Sequence, residues 1–363
     1  MKLFKFVKSK NKALLLCNAL FFFAVSLSAQ IPNGYYDNAF NKKERVLKTA
    51  LYNIIKDHSV KSYDFLYTIY ETSDVTADGK VWDMYSSCTW TPGLKKCGNY
   101  KNVCDCYNRE HSIPQSWFNE QSPMVSDAFH LYPTDGKVNG QRSNYPFGEC
   151  SDGASLGGKA LGKLGKSTFA GYTGTVFEPI DEYKGDFART YFYFATRYEN
   201  IMTSIKGESF NKTVYPAFPD WTTKLFLKWH RQDPVSQKEI DRNNAVYAHQ
   251  HNRNPYIDYP QLAEYVWGDS ITYVFDPNNV PNEIEAIEPD FAPVAYTFSG
   301  ALYLEKLPEN AIIRIYNLVG QKLHQAQSDT GSYLCSLPER NQLYIIQIQN
   351  KQGHIITIKL INN

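Results

Sequence analysis

The sequence predicts an α+β protein in two domains, because segments of three kinds follow one another along its 363 residues. Apolar residues recur at helical spacing near both ends of a larger part, 30–276, which predicts amphipathic helices there. The stretch 60–180 is rich in loops, with brief strands. The last 70 or so residues contain short β-rich runs separated by Gly, Asn and Asp, which is typical of a small antiparallel sandwich.

Residues 1–29 have the composition of a removable export signal. Five lysines precede an apolar run over 13–25, and small residues at 26–29 provide a cleavage position before Gln30. The apolar run is shorter than the roughly 20 residues that a membrane-spanning helix needs. We therefore expect a secreted protein, extracellular or at the cell surface after passage through the periplasm, with no membrane span in the mature chain.

Removal of the signal changes the charge of the chain. The whole sequence has 38 basic and 37 acidic side chains, and the signal holds five lysines and no acid, so the mature chain has 38 − 5 = 33 basic groups and a formal charge of −4. A protein that binds nucleic acid usually has a basic surface. Any binding of phosphate must therefore come from local Arg and Lys clusters and from a metal ion.

Six cysteines remain once the signal is removed. They are Cys88, Cys97, Cys104, Cys106, Cys150 and Cys335. Disulfides are expected in an oxidising compartment, and the Cys104-x-Cys106 spacing is too short for a zinc knuckle. Five of them lie before residue 151, and among these we expect two disulfides around the segment 107–118 and one odd thiol, with the pairing left open.

The segments with regular spacing define the elements in order. Helical spacing occurs over 41–58, 187–198, 223–230 and 236–250. A stretch rich in Pro, Asn and acidic residues over 277–293 predicts an extended linker. Beyond it, the part 294–363 has β-rich runs over 301–304, 311–316, 332–336, 343–348 and 354–360.

A carboxylate and an imidazole stand side by side at Glu110 and His111, and amides follow later at Asn139 and Asn144. Carboxylate and amide oxygens suit Mg²⁺ or Ca²⁺, and histidine takes a proton from water near neutral pH. An adjacent Glu and His on an ordinary surface are merely solvated. Neighbours in a strand point to opposite faces, so both serve one site only if the metal lies at the strand edge.

Four long blocks alter that interpretation. They cover 107–118, 127–148, 177–198 and 228–258, and in this order they closely resemble the bacterial endonuclease I family over most of residues 40–270. The resemblance implies a ββα-metal (His-Me finger) fold with a helical surround, in which a strand pair and a helix hold one divalent ion. It also implies a nuclease that cuts DNA, and often RNA, with little sequence preference and leaves 5′-phosphates.

The resemblance assigns roles to individual residues. His111 matches the general base, and Glu110 and Asn139 match the metal ligands for Mg²⁺, with Ca²⁺ or Mn²⁺ as alternatives. Arg142 follows Asn139 by three positions on the expected helix, where it either binds phosphate in catalysis or buttresses the site by an ion pair. Asn144 is expected to point more sideways and to contact substrate.

Two further arginines fall in the matched blocks. Arg189 matches a family motif near the cleft and is assigned to catalysis, although a helix arginine that packs inside the domain fits equally well. Arg253 stands in a polar block expected to form a buried network, and it is the member expected to reach a DNA groove. His130 is expected to have a structural hydrogen bond, and Glu178 and Asp186 to support the site rather than bind the ion.

The chain departs from the family pattern in the stretch 118–127. Relatives have a longer insert there, with an Arg that stabilises the cleaved phosphate, and this short path has no counterpart to it. Some relatives also have two histidines where this chain has Phe129 and His130.

The last 70 or so residues resemble the type A sorting domain of the type IX secretion pathway, through runs such as 312–323 and 356–360. Such a domain is an export address that the secretion machinery reads.

An alternative is a cell-surface adhesin or carbohydrate-binding protein on a degenerate nuclease scaffold. An aromatic content of 15% is compatible with this alternative, and the absence of an excess of basic charge favours it. A zinc hydrolase is a third interpretation, but no second His stands at a zinc-motif spacing. We expect a monomer.

Overall fold

The structure is a computed structural model that describes residues 31–277, 293–298, 300–317, 321–338, 342–351 and 355–362. The expected export signal over 1–29 and most of the expected linker over 277–293 lie outside the described residues. The chain divides between Asp276 and Pro277 into two compact units. Within the described ranges, every helix is too short or too polar to cross a membrane.

The larger unit combines helices with two small sheets. Its helices are α1 Glu44–Ile55, α2 Leu66–Ser73, α3 Gly136–Arg142, α4 Lys184–Arg197, α5 Asp220–Gln232, α6 Gln237–Gln250, α7 Pro255–Asp258 and α8 Leu262–Val266. Its strands are β1 Tyr107–His111, β2 Leu131–Asp135, β3 Ala154–Ser155, β4 Lys163–Lys166 and β5 Thr175–Glu178. Strands β1 and β2 pair antiparallel, and β3, β4 and β5 form a separate antiparallel sheet.

The four predicted helices are present as α1, α4, α5 and α6. Helix α1 begins later than predicted, because Asn41 donates its backbone N–H to the carbonyl of Phe275 and so belongs to another contact. Helix α6 begins with a capping box, in which the side chains of Ser236 and Glu239 bond each other's backbone N–H groups. The short helix α2 was not predicted.

Helix α4 lies in the centre of the larger unit, and every one of its residues is buried. Its apolar and aromatic residues are typical of a helix in the interior of a domain, and its charged residues Asp186 and Arg189 form buried ion pairs. The ring of Phe187 stacks on Phe147 at 4.4 Å, and that of Phe192 stacks on Trp267 at 4.9 Å. Aromatic pairs at these distances add directional contacts to the burial of apolar area.

A buried arginine on α6 ties α2 to β2. The guanidinium of Arg242 pairs with Asp74 at 2.8 Å and donates to the carbonyls of Ala128 and Leu131 at 2.7 and 2.8 Å. It also lies 4.2 Å from the ring centroid of Tyr132. Because Leu131 begins β2, these bonds fix where that strand starts.

The smaller unit consists of two antiparallel sheets that share an apolar core. Its strands are β6 Val294–Phe298, β7 Ala301–Glu305, β8 Ala311–Tyr316, β9 Lys322–Ser328, β10 Ser332–Ser336, β11 Gln342–Gln349 and β12 Ile355–Asn362. The strand orders are β10-β7-β6 and β12-β11-β8-β9. The five β-rich runs that we predicted are strands β7, β8, β10, β11 and β12, with residue 354 outside the described residues, and β6 was not predicted. Strand β9 was missed because its residues are almost all polar and exposed, so they give no alternation of apolar side chains.

The two predicted disulfides around segment 107–118 are confirmed. Cys88 bonds Cys104, and Cys97 bonds Cys106. Cys150 is the odd thiol of the larger unit, and it is buried.

Replacing Arg242 by Met is expected to lower the free energy of unfolding of the larger unit by about 3–5 kcal/mol, because Asp74 is left as an unpaired buried charge. Arg231 offers a control: its side chain is 46% exposed in a surface pair with Glu264. Arg231→Met should cost less than about 1 kcal/mol. All six tryptophans lie within residues 30–276, so urea unfolding followed by fluorescence reports on this unit. Equal losses in the two variants would contradict the structural role of Arg242.

Candidate active site

The turn from β2 into α3 is fixed by one carboxylate. Asp135 ends β2 and caps α3, with its side chain accepting the N–H of Val138 at 2.9 Å and that of Cys104 at 2.6 Å. A carboxylate in this position satisfies helix N–H groups that otherwise lack partners. A Cβ atom at Gly136 would collide with the sulfur of Cys97. The sequence Asp-Gly therefore places α3 directly against the disulfide-bonded loop.

Asn108 and Glu110 lie on the same side of β1, because alternate residues of a strand share a face. That side faces α3. The amide Nδ2 of Asn139 donates to Oδ1 of Asn108 at 2.7 Å. Nη1 of Arg142 pairs with Oε1 of Glu110 at 3.0 Å. Since Asn139 and Arg142 are three residues apart and share a helix face, the structure brings Glu110 and Asn139 to one strand-helix interface.

The carboxylate of Glu110 is only 3% exposed. Burial raises its pKa to about 7, and the charge of Arg142 and the hydroxyl of Tyr85 oppose that rise. Tyr85 donates to Oε1 at 2.8 Å, which is the oxygen that also contacts Arg142. Oε2 receives neither of these bonds. Oε1 is thus held by two protein groups, and the backbone N–H of His111 also bonds this carboxylate.

Asn139 presents its amide in a defined orientation. Its Nδ2 is committed to Asn108, so its Oδ1 is the atom that points elsewhere as an acceptor. An amide oxygen and a carboxylate oxygen are the donor atoms that Mg²⁺ and Ca²⁺ prefer. The donor set of Glu110 and Asn139 therefore fits a hard divalent cation.

His111 points to the opposite side of β1 and is 4% exposed. Its Nε2 bonds the carbonyl of Val125 at 3.1 Å. A carbonyl only accepts, so Nε2 carries the hydrogen and Nδ1 carries the lone pair. Burial, followed by the charge of His130, lowers the pKa of His111 well below its usual value. The ring is therefore a neutral base, braced between the rings of Tyr63 and Phe118.

His130 has the structural hydrogen bond that the sequence predicted. Its Nε2 bonds the carbonyl of Met124 at 2.8 Å inside the core. Its Nδ1 is sealed from solvent and has no partner in the described part of the chain. In His111, which is 4% exposed, Nδ1 is the ring atom left to accept a proton.

Arg142 takes the second of its two predicted roles. Its side chain is buried and, besides Glu110, it donates to the carbonyls of His111 and Ser112 at 3.1 and 2.7 Å. A guanidinium in this position has no access to a phosphate. The prediction that Arg142 binds phosphate is therefore wrong for this structure, and its contacts are those of a buttress.

The assignments of Arg189 to catalysis and Arg253 to substrate binding are corrected for the same reason. Arg189 is buried in a two-bond pair with Glu239, at 2.5 and 2.8 Å. Arg253 is buried in a two-bond pair with Asp258, with both bonds at 2.7 Å. Their charges hold the interior of the domain together, and a motif match does not reveal that burial.

Asn144 does not lie on α3. The helix ends at Arg142, and Ser143 adopts a positive φ of 54° that turns the chain away. Asn144 is exposed in the turn that follows. A contact between this side chain and substrate stays a prediction.

Two supporting residues were missed by the sequence reasoning. Asn108 stands two positions before Glu110, so strand alternation was a signal that could have found it. Tyr85 lies 25 residues from Glu110 and no sequence pattern joins them. Both orient a candidate ligand rather than reach the substrate.

A second group of potential metal ligands is ruled out by its chemistry. Among the residues that the structure describes, Cys88, Cys104 and Asp135 come close enough to share an ion. Cys88 and Cys104 are joined in a disulfide, so neither offers a thiolate. This group gives no support to a zinc hydrolase.

Comparison with known proteins agrees with this geometry. The sequence model of the Endonuclease I family matches residues 44–261. An extracellular ribonuclease of Bacillus amyloliquefaciens is 37% identical over 240 residues, which cover 64% of this chain and 78% of the relative. An extracellular ribonuclease of Bacillus subtilis is 34% identical over 239 residues, with the same coverage of 64% and 78%. A periplasmic deoxyribonuclease of Aeromonas hydrophila is 27% identical over 139 residues, or 38% of this chain and 50% of the relative.

The family match spans more than half of the chain and includes β1, β2 and α3, which carry the candidate site. This chain therefore belongs to the endonuclease I family and is a nuclease.

Proposed function

We propose that this protein is a secreted endonuclease that hydrolyses phosphodiester bonds of DNA and RNA at one divalent-metal site. Strands β1 and β2 with helix α3 form its ββα-metal unit. Glu110 and Asn139 hold Mg²⁺, for which Ca²⁺ or Mn²⁺ can substitute, and His111 is the general base. The observation that carries the proposal is that Glu110 and Asn139 lie at one strand-helix interface, through their bonds to Arg142 and Asn108, and that a neutral, anchored histidine follows Glu110 on β1.

The residues divide the chemistry among themselves. When bound, the metal polarises the phosphodiester and offsets negative charge in the transition state. His111, fixed through Nε2 to Val125, accepts a proton at Nδ1 from the water whose oxygen attacks phosphorus. The bond from phosphorus to the 3′ oxygen breaks, and that oxygen leaves and takes a proton from solvent. The product then carries a 5′-phosphate. The charge of Arg142 favours the ionised form of Glu110 and holds its side chain in place.

The proposed substrates and location draw on the relatives. Two with identities of 37% and 34% bear the name extracellular ribonuclease, and one at 27% bears the name periplasmic deoxyribonuclease. These names support cleavage of both nucleic acids outside the cytoplasm, and we propose that the cleavage has little sequence preference. The two antiparallel sheets of the C-terminal unit support the proposal that this unit is a type IX sorting domain, which the secretion machinery reads. We propose that the enzyme acts as a monomer. A nuclease domain with an intact site leaves the adhesin interpretation without support.

Replacing His111 by Ala is expected to lower kcat on plasmid DNA and on RNA by about 10²- to 10⁴-fold, because the proton acceptor is lost. Binding of Mg²⁺, measured by calorimetry, should change little. His324→Ala is the control, since His324 is exposed in the other unit. Chelator should abolish cleavage by the wild type. Cleavage that survives chelator, or that is equal in the His111 variant, would contradict the proposed function.

Replacing Asn108 by Ala is expected to raise the Mg²⁺ concentration for half-maximal activity by about 10-fold or more, because the amide of Asn139 loses the acceptor that orients it. Asn108→Asp keeps an acceptor oxygen and should restore the Mg²⁺ requirement to the wild-type value or below it. Titration of activity with Mg²⁺ measures both. An unchanged requirement in Asn108→Ala would show that Asn139 is not positioned by this bond.

A further inference from the structure

Arg109 and His111 lie on the same side of β1 and share one aromatic neighbour. The Cζ atom of Arg109 is 3.6 Å from the ring centroid of Tyr63. The ring of His111 lies 5.7 Å from the same centroid, with the two planes 24° apart. A positive charge is therefore held on the side of the strand that carries the general base, two residues before it.

A second cation, Lys96, lies beyond Arg109 on the side away from His111. Arg109 also contacts the ring of Tyr67, at 4.6 Å, and Nζ of Lys96 lies 4.7 Å from the same ring. Lys96 is exposed, and it forms a parallel bridge with Tyr107 at the start of β1. We call Lys96, Tyr67, Arg109 and Tyr63 the basic strip. Its members alternate cation and ring along one side of β1.

The guanidinium of Arg109 is held loosely in comparison with the buried arginines. It donates to the carbonyl of Tyr63 at 3.0 Å and to the carboxylate of Asp64 at 2.7 Å. The Asp64 side chain is 93% exposed and that of Arg109 is 17% exposed. An ion pair with so exposed a carboxylate contributes little stability, because water competes for both charges. A phosphate can therefore displace Asp64 without leaving a buried charge unpaired.

The three arginines that the resemblance assigned to the site are not free for this purpose. Its formal charge without the first 29 residues is −4. Arg142, Arg189 and Arg253 are buried in ion pairs with carboxylates. Neutralising phosphates with Lys and Arg supplies most of the affinity of proteins for nucleic acid. An accessible arginine beside the base has the chemistry that the buried arginines lack.

We propose that the basic strip binds the nucleic-acid backbone, with Arg109 on the phosphate adjacent to the scissile one and Lys96 further along the same strand. This inference rests on the proposed function and names the substrate contact of that same site. Residues two apart in a strand are offset by roughly 7 Å. That offset places Arg109 beside a neighbouring phosphate rather than on the phosphate under attack.

The test measures binding apart from cleavage. Fluorescence anisotropy with labelled single-stranded DNA and RNA oligomers in chelator gives Kd, and cleavage of the same oligomers in saturating Mg²⁺ gives kcat. Arg109→Gln should raise Kd by about 10-fold at low salt and reduce the slope of log Kd against log salt by about 0.7, the value for one phosphate contact on a single strand. Its kcat should stay within about threefold of the wild type. Arg109→Lys should recover most of the affinity.

Asp64→Asn separates phosphate binding from a structural tether. This substitution breaks the same ion pair by changing its acidic partner. Because it also removes a negative charge that repels phosphate, it should leave Kd unchanged or lower it. An increase in Kd equal to that of Arg109→Gln would show that the pair only holds the loop, which overturns the inference. An unchanged Kd in Arg109→Gln, or a fall in kcat alone, would overturn it too. If the wild type cleaves neither oligomer, the proposed function is refuted. The Kd values would still decide whether Arg109 binds the nucleic-acid backbone.

Discussion

The ion pair between Glu110 and Arg142 is the interaction on which the site depends. Both side chains are buried, and a buried charge that loses its partner is strongly destabilising, so strand β1 and helix α3 are held in one relative position. The same arginine bonds the carbonyls of His111 and Ser112. The Arg142 side chain thus fixes Glu110, the end of β1 and the helix α3 that carries Asn139.

The rest of the larger unit supports this pair. Asp135 caps α3 and also bonds the disulfide-bonded loop at Cys104, so the start of the helix cannot shift independently of that loop. Arg242 fixes the start of β2 from α6. Asp135 is satisfied by backbone N–H groups, and Arg242 is satisfied by carbonyls and by the opposite charge of Asp74. Buried networks of this kind specify one arrangement of the elements that they join.

The sequence located the candidate residues better than it predicted their surroundings. Glu110, His111 and Asn139 stand in recognisable motifs, and alternation along a strand correctly placed the first two on opposite faces of β1. Arg189 and Arg253 were misplaced, because a motif gives the identity of a residue and not its burial. Tyr85 was missed because its bond to Glu110 is a tertiary contact. Strands β1 and β2 are too short for periodicity to reveal them.

The most direct test of the account is anomalous diffraction from crystals of the protein soaked in Mn²⁺. The account predicts a single strong peak within coordination distance of the Glu110 carboxylate and the Asn139 amide oxygen, on the side of β1 that faces α3. A peak at another place, or a Mn²⁺ ion on Glu110 that leaves Asn139 uncoordinated, would contradict it.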